Sequence, residues 1–153
     1  MTWWKAVSFG PLETRRLGGV LARGLKPGDV VALTGGLGAG KTTFIQGLAR
    51  GLGVKEKYLF SPTFVLIREY RGRLPFFHVD LYRIGDEREA AELGLEEMFQ
   101  GAGVTAVEWA ERAAAILPAR AIRVRLEMID PRRRRILIRP ARIMESGDEN
   151  IGD

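Results

Sequence analysis

A glycine-rich segment, residues 35–43, constrains this chain more than any other feature. It matches the pattern G-x-x-x-x-G-K-[ST] at every fixed position, with Gly35, Gly40, Lys41 and Thr42 in those places. A buried apolar run precedes it and a helical pattern follows it, which is the context in which the match has physical meaning. Such a loop turns successive N–H groups toward an anion, and the helix N-terminus adds partial positive charge. The segment therefore predicts a phosphate-binding loop.

Two side chains of this loop have expected roles. Lys41 would reach the β- and γ-phosphates of a nucleotide, and the Thr42 hydroxyl would hold Mg²⁺. The competing interpretation is a glycine-rich turn with a surface lysine, and it leaves the flanking strand and helix unexplained. We expect the nucleotide to contact eight successive residues: Gly36, Leu37, Gly38, Ala39, Gly40, Lys41, Thr42 and Thr43.

Length and composition limit the class of protein. With 153 residues and 46% hydrophobic content, we expect one P-loop domain over residues 1–143 and a disordered acidic tail over 144–153. The absence of cysteine excludes disulfides, thiolate metal sites and a cysteine nucleophile. No signal-peptide h-region or membrane-length apolar run is present, so a cytoplasmic location is expected. The net charge of +5 suits a polyanionic partner such as a nucleotide or RNA.

The order of apolar patterns predicts the fold class. Short strands alternate with helices, and an antiparallel hairpin, residues 122–138, closes the chain. Asp86 and Glu89 form a capping pair at the start of a helix, and a further helix is expected over 110–117 before Pro118. These patterns predict an α/β, three-layer P-loop NTPase fold with a mixed parallel and antiparallel sheet and a C-terminal β-hairpin.

Two acids follow apolar runs and could complete a nucleotide site. Asp80 follows residues 76–79, and Glu108 follows residues 104–107. Carboxylates at the carboxyl ends of strands lie where open α/β sheets bind ligands, and one of them would orient Mg²⁺. Spacing alone does not rank the two, and a solvated acid that caps a strand is the alternative for each.

The remaining polar and aromatic candidates have simpler interpretations. His78, the only histidine, lies on the apolar side of a strand pattern, which indicates a packed or hydrogen-bonded residue rather than a general base. Trp109 is interpreted as a packing residue that could line the pocket. The arginines at 132–135 form either a solvated basic tip or a contact with phosphates.

Four segments, taken in order, resemble the TsaE (YjeE) family of small bacterial P-loop ATPases. They are LGAGKTTF at 37–44, SPTF at 61–64, HVDLYR at 78–83 and VEWAE at 107–111. The segment ELGL at 92–95, the overall length and the terminal hairpin also fit. The chain departs from the family at Gly36, where an acid is common, and at Pro131, where glycine is common.

This resemblance implies a function and assigns residues to it. The implied role is Mg²⁺-dependent ATP hydrolysis, slow without a partner, for N6-threonylcarbamoyladenosine formation at position 37 of tRNAs that read A-starting codons. The implied partner is the TsaD–TsaB complex, with tRNA contacted indirectly or weakly and no membrane involved. By the same resemblance, Lys41, Asp80 and Glu108 are catalytic. Thr42 and Glu108 are the Mg²⁺ ligands, Asp80 also lies near the γ-phosphate, and Arg132 contacts the nucleotide.

Two other functions stay open on the residues alone. A small-molecule kinase would use the same loop but would need an acceptor pocket and a closing lid, for which no segment is evident. A basic RNA-binding module around residues 132–135 would bind tRNA with a steep salt dependence that survives Lys41→Ala.

Overall fold

The computed structural model of the chain describes residues 2–56 and 66–148, and only the backbone of 146–148. Its described strands form one seven-stranded sheet in the order β1-β7-β6-β2-β5-β4-β3. The elements are β1 (Trp4–Ser8), α1 (Pro11–Arg23), β2 (Val30–Thr34), α2 (Lys41–Gly51), β3 (Ile67–Arg71), β4 (Pro75–Asp80), α3 (Glu87–Glu92), α4 (Leu95–Phe99), β5 (Val104–Glu108), a short 3₁₀ helix (Ala110–Ala113), β6 (Ile122–Asp130), β7 (Arg133–Arg139) and α5 (Arg142–Asp148).

The central strands of the sheet are parallel and the outer ones antiparallel. Strand β2 lies between β5 and β6 and is parallel to both, and β4 is parallel to β5. The hairpins β3–β4 and β6–β7 and the pair β1–β7 are antiparallel. The carboxyl ends of β2, β4 and β5 therefore meet at one edge of the sheet, where ligands bind in open α/β folds.

Alternate residues of β2 enter two different cores. Val31 and Leu33 pack in the core that contains α1 and α2, whereas Val30 and Ala32 pack in the core that contains α3 and α4. A strand that is apolar on both faces is typical of a sheet covered by helices on both sides. The predicted three-layer α/β fold with a mixed sheet and terminal hairpin is confirmed.

Helix α2, which begins at the phosphate loop, is held against α1 by a close backbone contact. A Cβ atom on Gly47 would lie 1.9 Å from the carbonyl oxygen of Arg15, so only glycine permits this approach. Phe44 and Leu48, on the same helix, are fully buried. The contact fixes the position of α2 relative to α1.

Three local expectations differ from the structure or lie outside it. The helix expected over 110–117 is present only as a single 3₁₀ turn, Ala110–Ala113, which follows the left-handed Trp109 at φ 58°. Helix α5 covers residues 142–148, so the segment expected to be disordered begins as helix, and Met144 is buried. The SPTF segment lies outside the described residues.

Candidate nucleotide-binding site

The loop between β2 and α2 has a backbone that requires glycine at its two ends. Gly35 has φ 146°, and a Cβ there would lie 2.5 Å from the carbonyl oxygen of Leu126 on β6. Gly40, immediately before α2, has φ 100°. Both conformations are open to glycine and strained for other residues. The loop therefore curls tightly over β6 and leads its backbone into the helix N-terminus.

Lys41 is folded back into its own loop. Its ammonium donates to the carbonyl oxygens of Gly35 and Gly36, the latter at 3.2 Å, and lies 3.8 Å from the centroid of the Trp109 ring. Only 5% of the residue is exposed. Burial lowers the pKa of Lys41, and the charges of Glu108, Glu111 and Asp80 oppose that shift. The site thus contains a largely desolvated cation surrounded by carboxylates.

Thr42 and Glu108 meet at the carboxyl end of the sheet. The Thr42 hydroxyl donates to Oε1 of Glu108 at 3.0 Å, and Oε2 of Glu108 lies 2.6 Å from Nε2 of His78. Glu108 is 3% exposed and His78 is 1% exposed. A buried carboxylate is stable only with such partners, which also hold it in one orientation.

Asp80 lies on the strand next to Glu108. The two residues are register partners in the parallel pair β4–β5. Oδ1 of Asp80 accepts a hydrogen bond from the backbone N–H of Tyr82 at 2.9 Å. The Tyr82 ring lies 5.1 Å from the Trp109 ring, so this turn packs against the indole that also contacts Lys41.

These groups line one open cavity of about 430 Å³. Its volume falls within the range usual for small-molecule sites. The lining residues are Gly36, Leu37, Gly38, Ala39, Gly40, Lys41, Thr42, Thr43, Asp80, Tyr82, Glu108, Trp109 and Arg134. All eight loop residues expected from the sequence, together with Asp80 and Glu108, therefore converge at one cavity.

The arginine that lines this cavity is Arg134, whereas the family resemblance implied that Arg132 contacts the nucleotide. Arg132 is exposed and lines a smaller adjoining cavity of about 80 Å³ with Gly40 and Thr43. Arg134 is half-buried and shares a strand face with the buried Ile136. Strand alternation back from Ile136 places Arg134 and Arg132 on the same face, so the sequence pattern alone does not separate them.

The donor atoms fit a magnesium ion that is shared with a phosphate ligand. Thr42 and Glu108 present oxygen atoms 3.0 Å apart at the cavity. Mg²⁺ prefers oxygen donors, and it is usually held by one or two protein groups together with phosphates and water. In the described ranges, 2–56 and 66–148, no three His, Asp or Glu side chains converge as a separate metal site.

The family and the relatives that this chain matches are consistent with its fold and with its glycine-rich loop. The family model described as "Threonylcarbamoyl adenosine biosynthesis protein TsaE" matches residues 10–136. The chain is 40% identical over 134 residues to the tRNA threonylcarbamoyladenosine biosynthesis protein TsaE of Treponema pallidum, covering 88% of this chain and 98% of that protein. It is 47% identical over 122 residues to the protein of the same name in Bacillus subtilis, covering 79% and 74%.

A solved structure supports the same relationship. The crystal structure of Bacillus subtilis YdiB superposes with a TM-score of 0.83 at 34% sequence identity, covering 99% of this chain and 97% of that one. Among residues 2–56 and 66–148, no helix has both the length and the apolar character needed to cross a bilayer. The family match spans both the phosphate loop and the two acids described above, and the chain belongs to the TsaE family.

Proposed function

We propose that this protein binds and hydrolyses ATP with Mg²⁺ in the formation of N6-threonylcarbamoyladenosine at position 37 of tRNA. It would act with the TsaD–TsaB complex, and hydrolysis would be slow without that complex. The curated relatives are named for threonylcarbamoyladenosine biosynthesis, which supports the pathway. The cavity supports the chemistry.

One observation carries the proposal. The Thr42 hydroxyl, which opens helix α2, bonds to the Glu108 carboxylate beside the loop that holds Lys41. A phosphate loop, a hydroxyl and a buried acid in this arrangement are the parts that a nucleoside triphosphate with a magnesium ion requires. A glycine-rich structural turn would need no buried acid at its helix N-terminus.

The loop and its lysine would bind the phosphates. Backbone N–H groups of residues 38–43 would surround the phosphate chain, since the helix N-terminus and the positive-φ glycines direct N–H groups to one side. Lys41, with its carbonyl partners and Trp109 on one side, would present its ammonium to the anion. The half-buried Arg134 would neutralise further phosphate charge from β7.

Thr42 and Glu108 would hold Mg²⁺, which neutralises charge on the phosphate oxygens when it is bound. Asp80, register partner of Glu108, would orient the attacking water. Its Oδ1 already accepts the Tyr82 N–H, so the carboxylate is held toward the cavity in one orientation. Among the described residues, Arg134 is the one arginine that lines this cavity.

The test is a measurement of phosphate release with ATP and Mg²⁺, with and without purified TsaD–TsaB. We expect slow release by the chain, faster release with the complex, and neither in Lys41→Ala. Equal and fast release in both samples would contradict the proposed dependence on a partner. Transfer of labelled phosphate to a metabolite would instead identify a kinase. Salt-sensitive tRNA binding that survives Lys41→Ala, with no ATP binding, would identify an RNA-binding module.

A further inference from the structure

His78 lies outside the nucleotide cavity but contacts one of its acids. It is on β4, opposite Ala106 of β5, so that Glu108 lies two residues further along the adjacent parallel strand, on the same face of the sheet. Its Nε2 lies 2.6 Å from Oε2 of Glu108, and His78 is 1% exposed. The ring is therefore behind the carboxylate, on the side away from the phosphate loop.

Burial makes this hydrogen bond informative. The neighbouring Phe76 and Phe77 indicate that this strand readily takes an apolar aromatic residue, whereas a buried imidazole is costly unless it is hydrogen-bonded. Nδ1 of His78 is buried without a partner among the described residues. Among the described residues, the hydrogen-bond partner of the His78 ring is therefore Glu108. A carboxylate can only accept, so Nε2–H of His78 is the donor.

Two of the contacts of Glu108 involve different oxygens of its carboxylate. Oε2 accepts from His78, and Oε1 accepts from the Thr42 hydroxyl. We propose that His78 is a positioning residue that holds Glu108 with Oε1 facing Thr42, so that one carboxylate oxygen and one hydroxyl are aligned for Mg²⁺ before the nucleotide arrives. This inference rests on the proposed function. Groups that orient a metal ligand commonly change metal affinity by about tenfold to 100-fold when they are removed.

Three substitutions distinguish this role from packing. His78→Gln carries its amide nitrogen near the position of Nε2 and can still donate to Glu108. His78→Asn carries its amide nitrogen near the position of Nδ1 and cannot reach the carboxylate, and His78→Phe removes the donor but fills the space. Thr105→Val is the matched control, because Thr105 is buried on the adjacent strand and its hydroxyl has no partner among the described residues.

The primary measurement is binding of the ATP analogue AMP-PNP by calorimetry, first in EDTA and then across a Mg²⁺ series. Electron paramagnetic resonance of free Mn²⁺, with AMP-PNP present, gives the metal affinity once the Mn²⁺ that AMP-PNP binds in a protein-free titration is subtracted. We expect His78→Asn and His78→Phe to need a metal concentration at least about tenfold higher than wild type for half-maximal stimulation of AMP-PNP binding. Their affinity for AMP-PNP in EDTA should match wild type, and His78→Gln and Thr105→Val should keep the wild-type metal dependence.

Several outcomes would overturn the inference. Wild-type metal dependence in His78→Asn and His78→Phe would do so, and so would an equal loss in His78→Gln, because that would indicate packing. If His78→Phe does not fold, as judged by thermal unfolding in EDTA, His78→Asn carries the test. A wild-type chain that binds no AMP-PNP would instead refute the proposed function itself, so the two failures are distinguishable.

Discussion

Replacing Glu108 by glutamine should change nucleotide binding in opposite directions with and without magnesium. Glu108 is 3% exposed and adjoins the cavity expected to hold a polyanion. Its negative charge raises the pKa of Lys41 against the effect of burial, so its field reaches the ammonium that we propose binds phosphate. Without a metal, the same field repels the phosphates. With a metal, the carboxylate attracts the ion that joins the protein to them.

The size of the effect can be estimated from Coulomb's law. Oε1 of Glu108 is 3.0 Å from the Thr42 hydroxyl, at the edge of the phosphate loop. At a charge separation of ~8 Å and an effective dielectric constant of about 20, one pair of unit charges contributes roughly 2 kcal/mol. Screening by salt reduces this value, and about 1.4 kcal/mol corresponds to a tenfold change in Kd. We therefore expect Glu108→Gln to tighten ATP binding in EDTA by about tenfold.

Calorimetric titration with ATP, once in EDTA and once in excess Mg²⁺, measures both effects. Glutamine can accept from His78 and donate to Thr42, so the hydrogen bonds seen for Glu108 can be retained. Wild type should bind more tightly than the variant in Mg²⁺ and more weakly in EDTA. Glu96→Gln, an exposed change on α4, is the control and should alter neither value. Unchanged or weaker binding by Glu108→Gln in EDTA would refute the electrostatic reasoning.

Other predictions concern hydrolysis, proton uptake and helix packing. Asp80→Asn should lower the rate of ATP hydrolysis by about 100-fold or more while ATP still binds, because the amide keeps the acceptor for Tyr82 but lacks the negative charge that would orient the attacking water; undiminished turnover would contradict this role. Because burial lowers the pKa of Lys41 in the free chain and phosphate would raise it, ATP binding should take up protons in alkaline buffer below pH 10.5. Calorimetry in buffers of different ionisation enthalpy should detect this uptake, and Lys41→Arg should abolish it. In urea unfolding, Gly47→Ala should destabilise the fold by about 3 kcal/mol, since its Cβ would meet the Arg15 carbonyl at 1.9 Å. Gly19→Ala, whose Cβ has only a 3.7 Å contact, should stabilise α1 by up to about 1 kcal/mol; equal effects at the two sites would contradict the packing argument.

Local patterns predicted most of the described elements. The strands β1, β2, β4 and β5 and the terminal hairpin follow from apolar runs of the right length, and the capping pair works as expected, with Asp86 accepting from the Glu89 N–H at 2.9 Å. The 3₁₀ turn after β5 was predicted as a longer helix, since the apolar pattern does not reveal the left-handed conformation of Trp109, whose ring contacts Lys41 and Tyr82.

The site was predictable in composition but not in arrangement. The phosphate loop, Asp80 and Glu108 were expected from their positions after apolar runs, but spacing could not tell which acid meets Thr42. That choice depends on strand order, because β5 lies directly beside β2 while β4 lies one strand further away. The contact of Arg132 with the nucleotide stays a prediction. That Arg134 lines the main cavity depends on where the turn ends and β7 begins, which the four consecutive arginines do not reveal. The metal-binding roles of Thr42 and Glu108 stay predictions.

The most direct test of the central claim is whether this chain binds ATP at the loop of residues 35–43. Calorimetry of the wild-type chain with ATP and excess Mg²⁺ should show saturable heat for one site per chain. Lys41→Ala, with an unfolding temperature checked beforehand, should lose most of that heat. If wild type showed no heat of binding at high ATP and Mg²⁺ concentrations, or if Lys41→Ala bound as tightly, the loop would not be the nucleotide site proposed for this protein.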